Sequence, residues 1–322
     1  MNETKKTKKG SGLKGLEPYY IIIGIIIILL IIILSLIKST SEKPVVEAEY
    51  ETYTEVPEFP EEPEPDRTVE TVRINPAEKS PAAPPEKPEP DRGQSLTFVI
   101  DDVGNSIEQL KPFLEIPYPV TFAIMPDRKY SRECATMIAA AGKDYILHQP
   151  MEALSGADPG RSAIYKGMSG AEIAKVLEHN FRQLPGAKGM NNHMGSAATS
   201  DPEVMKAVMN YLSNNNKFFL DSFTISSSYG SRAASEFKVS YLKRNSMFLD
   251  NENDHESIQN AINEGKKTAR KNGHAVMIGH VMSEELAELM LELYPNFIDD
   301  GFSLKDISEL FIAMNSQELP GE

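Results

Sequence analysis

Between residues 94 and about 316, short apolar runs alternate with segments whose apolar positions recur every three to four residues. That alternation predicts an α/β architecture with mainly parallel strands. The predicted strands are Leu96–Ile100, Val120–Met125, Asp144–Leu147, a short one at Lys188–Met190, Lys217–Leu220, Ser246–Leu249 and Ala275–Ile278. The clearest helix between them is Ser169–Leu184. Ser169 and Glu172 have the spacing of a capping box, and Ile173, Val176, Leu177 and Phe181 share one face. Similar stripes carry Met205, Val208, Met209 and Leu212, then Ile258, Ala261 and Ile262, then Leu286, Leu289, Met290 and Leu293.

Upstream the pattern changes twice. Tyr19 to Ile37 is an uncharged run of 19 residues dominated by isoleucine, and as a helix rising about 1.5 Å per residue it is long enough to cross a bilayer. Lys5, Lys6, Lys8, Lys9 and Lys14 precede it against Glu3 and Glu17, so its N-terminal side is expected in the cytoplasm. From Ser41 to Gly93 lie eleven of the 22 prolines, with 15 acidic against six basic residues. Such a segment repels itself and has nothing to bury. The expected organisation is a basic cytoplasmic tail (1–18), an uncleaved signal anchor (19–37), a Glu/Pro-rich disordered linker (38–93), a folded domain (94–316) and a frayed end (317–322). The folded domain is then extracytoplasmic, held by one pass through the cytoplasmic (inner) membrane, and periplasmic where an outer membrane exists.

Composition removes several classes. A net charge of −14 argues against nucleic acid as a partner, and no Gly-rich phosphate loop follows any predicted strand, which argues against a nucleotide. The single cysteine, Cys134, allows no intramolecular disulfide or Cys-based zinc module and reads as a small core residue.

What stands out is where the chemistry falls. Asp101 and Asp102 follow the first predicted strand, His148 the third, His193 the fourth, Asp221 the fifth and His280 the last. In a parallel barrel or open sheet those ends converge on one face. Adjacent carboxylates on a strand exit should point in different directions and do different work. One can ligate a metal while its neighbour accepts a proton from bound water. With His148 and His193, Asp102 would complete a His₂Asp set suited to zinc first, or to another first-row divalent ion. His280 is placed to protonate a leaving group and Asp221 to orient one of these groups.

The motifs Phe98-Val99-Ile100-Asp101-Asp102, Leu147-His148-Gln149-Pro150-Met151-Glu152, Asn192-His193-Met194-Gly195-Ser196, Phe219-Leu220-Asp221-Ser222, Phe248-Leu249-Asp250 and Ile278-Gly279-His280 together resemble the divergent polysaccharide deacetylases, a branch of the NodB-like carbohydrate esterase superfamily. The resemblance covers nearly all of residues 95–312. It implies an irregular, incomplete (β/α) barrel and metal-assisted removal of acetyl groups from a cell-envelope polysaccharide. It also implies base for Asp101, metal ligand for Asp102 and general acid for His280. The chain departs from the superfamily where a second ligating histidine is usual four residues after the first, because Glu152 stands there. The missing ligand is assigned to His193, with Glu152 as competitor. Asn191, Asn192, Ser196 and Ser222 fall where the substrate pocket is expected. The altered motif also motivates a second reading, a non-catalytic envelope protein that keeps the barrel to bind glycan or dock a partner.

Overall fold

The computed structural model describes residues 93–317. The tail, the apolar run Tyr19–Ile37, the Glu/Pro-rich linker and residues 318–322 lie outside the described residues. Among the described residues no helix is long and apolar enough to cross a membrane.

Eight strands form one sheet: β1 (Ser95–Val103), β2 (Thr121–Ile124), β3 (Asp144–Met151), β4 (Gly189–Met194), β5 (Phe218–Asp221), β6 (Tyr241–Lys243), β7 (His274–His280) and β8 (Ser303–Leu304). Every pairing is parallel, in the order β6-β5-β4-β3-β2-β1-β7, with β8 adding to the start of β1. The result is a nearly closed parallel α/β barrel. Helices α1 (Ile107–Leu114), α2 (Ser131–Ala140), α3 (Gly170–Gln183), α4 (Pro202–Asn214), α5 (Gly230–Phe237), α6 (His255–Asn272), α7 (Glu284–Glu292) and α8 (Tyr294–Asp299) connect the strands, and α9 (Ile307–Gln317) ends the described chain.

Why these elements form is local. The capping box of α3 is complete: Ser169 Oγ accepts from Glu172 N, and the Glu172 carboxylate accepts from Ser169 N at 2.7 Å. Ile173, Leu177 and Phe181 are buried on its inner face. Asp201 and Asp254 cap α4 and α6 in the same manner, each accepting a main-chain N–H of the first turn. Cys134 is fully buried on α2.

The barrel has two cores. The larger lies between strands and helices, and the smaller fills the barrel with Val99, Ala123, Ile146, Leu220, Val276 and Ile278. Its N-terminal mouth is plugged by Ile307, Leu310 and Phe311 of α9, where Ile307 N donates to Thr121 Oγ1 at 2.9 Å. The helix runs to Gln317, the last described residue, because this apolar face seats it in the mouth.

The predicted strand Ser246–Leu249 is corrected. It is an irregular segment running along the outer edge of β7, and the sixth strand is Tyr241–Lys243. Side chains there take over part of the ladder. Asn245 accepts from Val276 N at 2.8 Å and donates to His274 O, Ser246 Oγ donates to Val276 O, and Leu249 N donates to Ile278 O. This segment bridges the gap between β6 and β7.

Candidate functional site

The site begins with a distortion of β1. The register against β2 slips between Ile100 and Val103, and Asp102 takes a left-handed φ of 63°. A bulged, left-handed residue escapes the alternation of strand side chains, and aspartate is among the residues that tolerate it. The expectation that Asp101 and Asp102 diverge is therefore corrected, because both carboxylates approach one imidazole. Asp102 Oδ1 lies 3.2 Å from His148 Nε2, and Asp101 Oδ2 lies 3.8 Å from the same nitrogen.

His148 and His193 come from adjacent strands. Pro150 is the ladder partner of His193, and His148 that of Asn191. His193 Nδ1 stands 2.9 Å from Asp102 Oδ1 and 3.2 Å from His148 Nε2. The three atoms thus form a triangle with edges of 2.9, 3.2 and 3.2 Å. Ligands sharing one ion at bonds of about 2.0–2.2 Å stand about 2.9–3.5 Å apart, so the triangle fits one face of a zinc-like coordination shell. Asp102 Oδ1 is buried and has no aligned hydrogen bond despite the two nearby nitrogens, as a lone pair held for a cation would be. Among the described residues this is the one His/Cys/Asp/Glu group with converging ligand atoms.

Glu152 is not part of it. Its carboxylate accepts from Lys166 N at 2.7 Å and its carbonyl from Ala197 and Ala198, which ties down the loop that follows β3. The side chain is thereby engaged with Lys166 N and stands outside the converging group.

His280 is the ladder partner of Asp101. Asp250 grips it twice, accepting from the His280 main-chain N–H at 2.7 Å and from ring Nδ1 at 2.9 Å. Burial works to lower the imidazole pKa, but the bond to Asp250 and the charge of Asp101 outweigh it and push it up to about 9. Burial pushes Asp101 the other way for a carboxylate, upward, against the lowering charges of His148 and His280. Asp102 is held well below the usual carboxylate range because the two imidazoles overcome its burial.

Asp221 does not orient any of these groups. It is fully buried and accepts from Phe223 N, Ser228 Oγ and Tyr241 Oη at 2.8, 2.6 and 3.0 Å, fastening the turn after β5. The four expected pocket residues are likewise occupied internally. Asn192 accepts from Ser222 N and donates to Met194 O, Ser196 Oγ accepts from Leu154 N, and Ser222 Oγ accepts from Asn191. Asn191, Asn192 and Ser222 are buried, so they build the floor beneath the site and not a wall open to a glycan.

The sequence reading left two features without a role. Asp250, quoted there only within the motif Phe248-Leu249-Asp250, is the orienting carboxylate, and the strand-exit rule applied to the others would have assigned it, since it follows the predicted strand Ser246–Leu249. Arg244 donates to the carbonyls of Ser222, Phe223 and Ser246 and stacks 3.9 Å from the centroid of Phe248, whose ring lies 5.5 Å from that of His280. No sequence signal marks that arginine, because its partners are main-chain oxygens.

The nearly closed parallel barrel thus carries an Asp-His-His triangle, a second carboxylate and a buttressed histidine at one mouth. The family model for divergent polysaccharide deacetylase matches residues 98–311, and the chain belongs to that family. It is 35% identical over 198 residues to an uncharacterized protein of Haemophilus influenzae, covering 62% of this chain and 70% of that one. It is also 35% identical over 185 residues to the uncharacterized protein YibQ of Escherichia coli, 58% of each chain. An uncharacterized protein from Agrobacterium tumefaciens shares the fold, with a TM-score of 0.65 at 18% identity, over 69% of this chain and 91% of the other.

Proposed function

We propose that the protein is a metal-dependent hydrolase that removes acetyl groups from a cell-envelope polysaccharide. One observation carries this reading: Asp102 Oδ1, His148 Nε2 and His193 Nδ1 meet within 3.2 Å of one another, beside Asp101 and His280. Asp102, His148 and His193 would hold the ion, with zinc the first choice for two imidazoles and a carboxylate. The bound ion supplies Lewis acidity toward the acetyl carbonyl and lowers the pKa of a water. Asp101, raised by burial, takes the proton from the attacking water. His280, protonated at neutral pH through Asp250, gives a proton to the departing nitrogen or oxygen of the sugar. The free amine or hydroxyl and acetate leave, the carboxyl proton of the product goes to solvent, and the proton held by Asp101 returns through solvent to His280, which restores both groups.

Membership of the deacetylase family supports the substrate class. The Tyr19–Ile37 run supports single-pass anchoring with the barrel outside the cytoplasm, carried off the membrane by the linker. The test is acetate release from acetylated peptidoglycan fragments and chito-oligosaccharides by the metal-loaded protein and by Asp101→Asn. Release by the wild type, with loss of at least about 10²-fold in the variant and metal content unchanged, is expected. A metal-loaded wild type that releases no acetate from either substrate contradicts the hydrolase and favours the non-catalytic envelope protein.

A further inference from the structure

Asn191 hydrogen-bonds to both halves of the proposed chemistry, a metal ligand and the proton acceptor. It sits on β4, fully buried, directly across the ladder from His148. Its Oδ1 lies 2.7 Å from His148 Nδ1, and its Nδ2 lies 2.8 Å from Asp101 Oδ1 and 3.2 Å from Ser222 Oγ. Asp101 is on β1, separated from β4 along the sheet by β3 and β2. The amide therefore reaches Asp101 across the barrel interior and not along its wall.

The orientation of the amide is dictated by its neighbours. A carboxylate can only accept, so the NH₂ must face Asp101; the carbonyl must then face His148, whose Nδ1 has to donate. A neutral imidazole that donates from Nδ1 keeps its lone pair on Nε2, the atom that meets Asp102 and His193. At the other end, the bond to Oδ1 fixes the Asp101 carboxylate and leaves Oδ2 turned toward the same Nε2 at 3.8 Å. Few side chains can do both. Serine is too short, aspartate offers two acceptors and no donor, and leucine offers neither.

We infer that Asn191 is a two-sided positioning residue, whose carbonyl fixes the metal-binding tautomer of His148 while its amino group holds the proton-accepting carboxylate of Asp101 in place. The inference rests on the metal-hydrolase reading above. It separates into two effects that one substitution can divide. Asn191→Asp retains an acceptor for His148 and loses the donor for Asp101; Asn191→Leu loses both.

The experiment uses the full-length protein. Zn²⁺ affinity is measured by chelator competition, the visible d–d spectrum is recorded after Co²⁺ loading, and kcat and KM are determined for acetate release. The metal-free melting temperature of each variant serves as the folding control. Asn191→Leu should bind Zn²⁺ about 10–100-fold more weakly and shift the Co²⁺ bands. Asn191→Asp should bind Zn²⁺ within a few-fold of wild type or more tightly, with kcat down about 10²-fold and KM little changed. If Asn191→Leu does not fold, Asn191→Ser, which reaches neither partner, takes its place with the same expectation. Wild-type affinity and spectrum in the Leu or Ser variant overturn the inference, as does an Asp variant that loses metal as they do. Failure of the hydrolase reading looks different: the wild type binds metal and is inert on glycans, while the order of affinities among the variants still decides the His148 side.

Discussion

Asp250 holds His280 by two bonds from one carboxylate, Oδ2 to the main-chain N–H at 2.7 Å and Oδ1 to ring Nδ1 at 2.9 Å. The main-chain bond fixes where the histidine leaves β7, and the ring bond fixes which nitrogen is free. With Nδ1 donating to Asp250, Nε2 is the atom that faces the site, and the carboxylate stabilises the imidazolium.

The pH dependence follows with a definite sign. His280 is raised to about 9, so the proton it must donate is present below that pH and lost above it. The alkaline limb of kcat/KM should therefore lie near pH 9. In Asp250→Asn the limb should move toward the ordinary histidine value of about 6.5, so the variant loses most at pH 8 and least at pH 6. An unshifted limb in that variant would show that His280 is not the acid. The same raised pKa contributes stability that is full below about 6.5 and disappears as pH rises through about 9.

Asp221 provides the contrast. Its three donors come from the turn after β5, from Ser228 just ahead of α5, and from Tyr241 of β6, so removing the carboxylate strands buried groups and leaves the triangle intact. Asp221→Ala should cost about 3–5 kcal/mol of unfolding free energy. It should bind one equivalent of metal with wild-type affinity below its melting temperature. Denaturant unfolding and metal titration on the same preparation check both.

Stability at the opposite mouth depends on Asp306, which caps α9 by accepting from Glu309 N at 2.8 Å. Burial, with the nearby charges of Asp144 and Glu309, pushes its carboxyl up to about 6. An acid raised in the folded state is better protonated there than in the unfolded chain. Its contribution to stability is thus greatest below about 3.9 and is lost as pH rises toward about 6. Asn keeps the capping oxygen and removes the charge. Asp306→Asn should melt higher than wild type at pH 7.5 and equally at pH 3.5, as thermal scans at the two pH values will show.

The architecture was legible wherever an element is long and its face uniform. The stripe Ile173, Leu177 and Phe181 and the capping pair Ser169 and Glu172 identify α3 to within a residue at each end. Strand exits carried most of the site, because His193 and His280 close β4 and β7 and His148 lies in the second half of β3, three residues before the strand ends. What the pattern could not carry was the exception to its own periodicity. A two-residue repeat sends Asp101 and Asp102 apart, whereas the bulge and the left-handed Asp102 bring them together. Tyr241–Lys243 is too short to show an alternation. Asn245 and Ser246 mimic a strand by giving side-chain bonds to the edge of β7. Asn191 and Ser222 were expected at a pocket surface since sequence position alone does not tell a floor from a wall.

The central claim is that His193, and not Glu152, completes the metal set with Asp102 and His148. Metal content after loading with Zn²⁺ and removal of excess, measured by mass spectrometry on wild type, His193→Ala and Glu152→Ala, tests it directly. Near-stoichiometric zinc in the wild type and in Glu152→Ala, with loss in a folded His193→Ala, is the predicted result. Zinc retained in His193→Ala and lost in Glu152→Ala, or a folded wild type that takes up no metal, would contradict it.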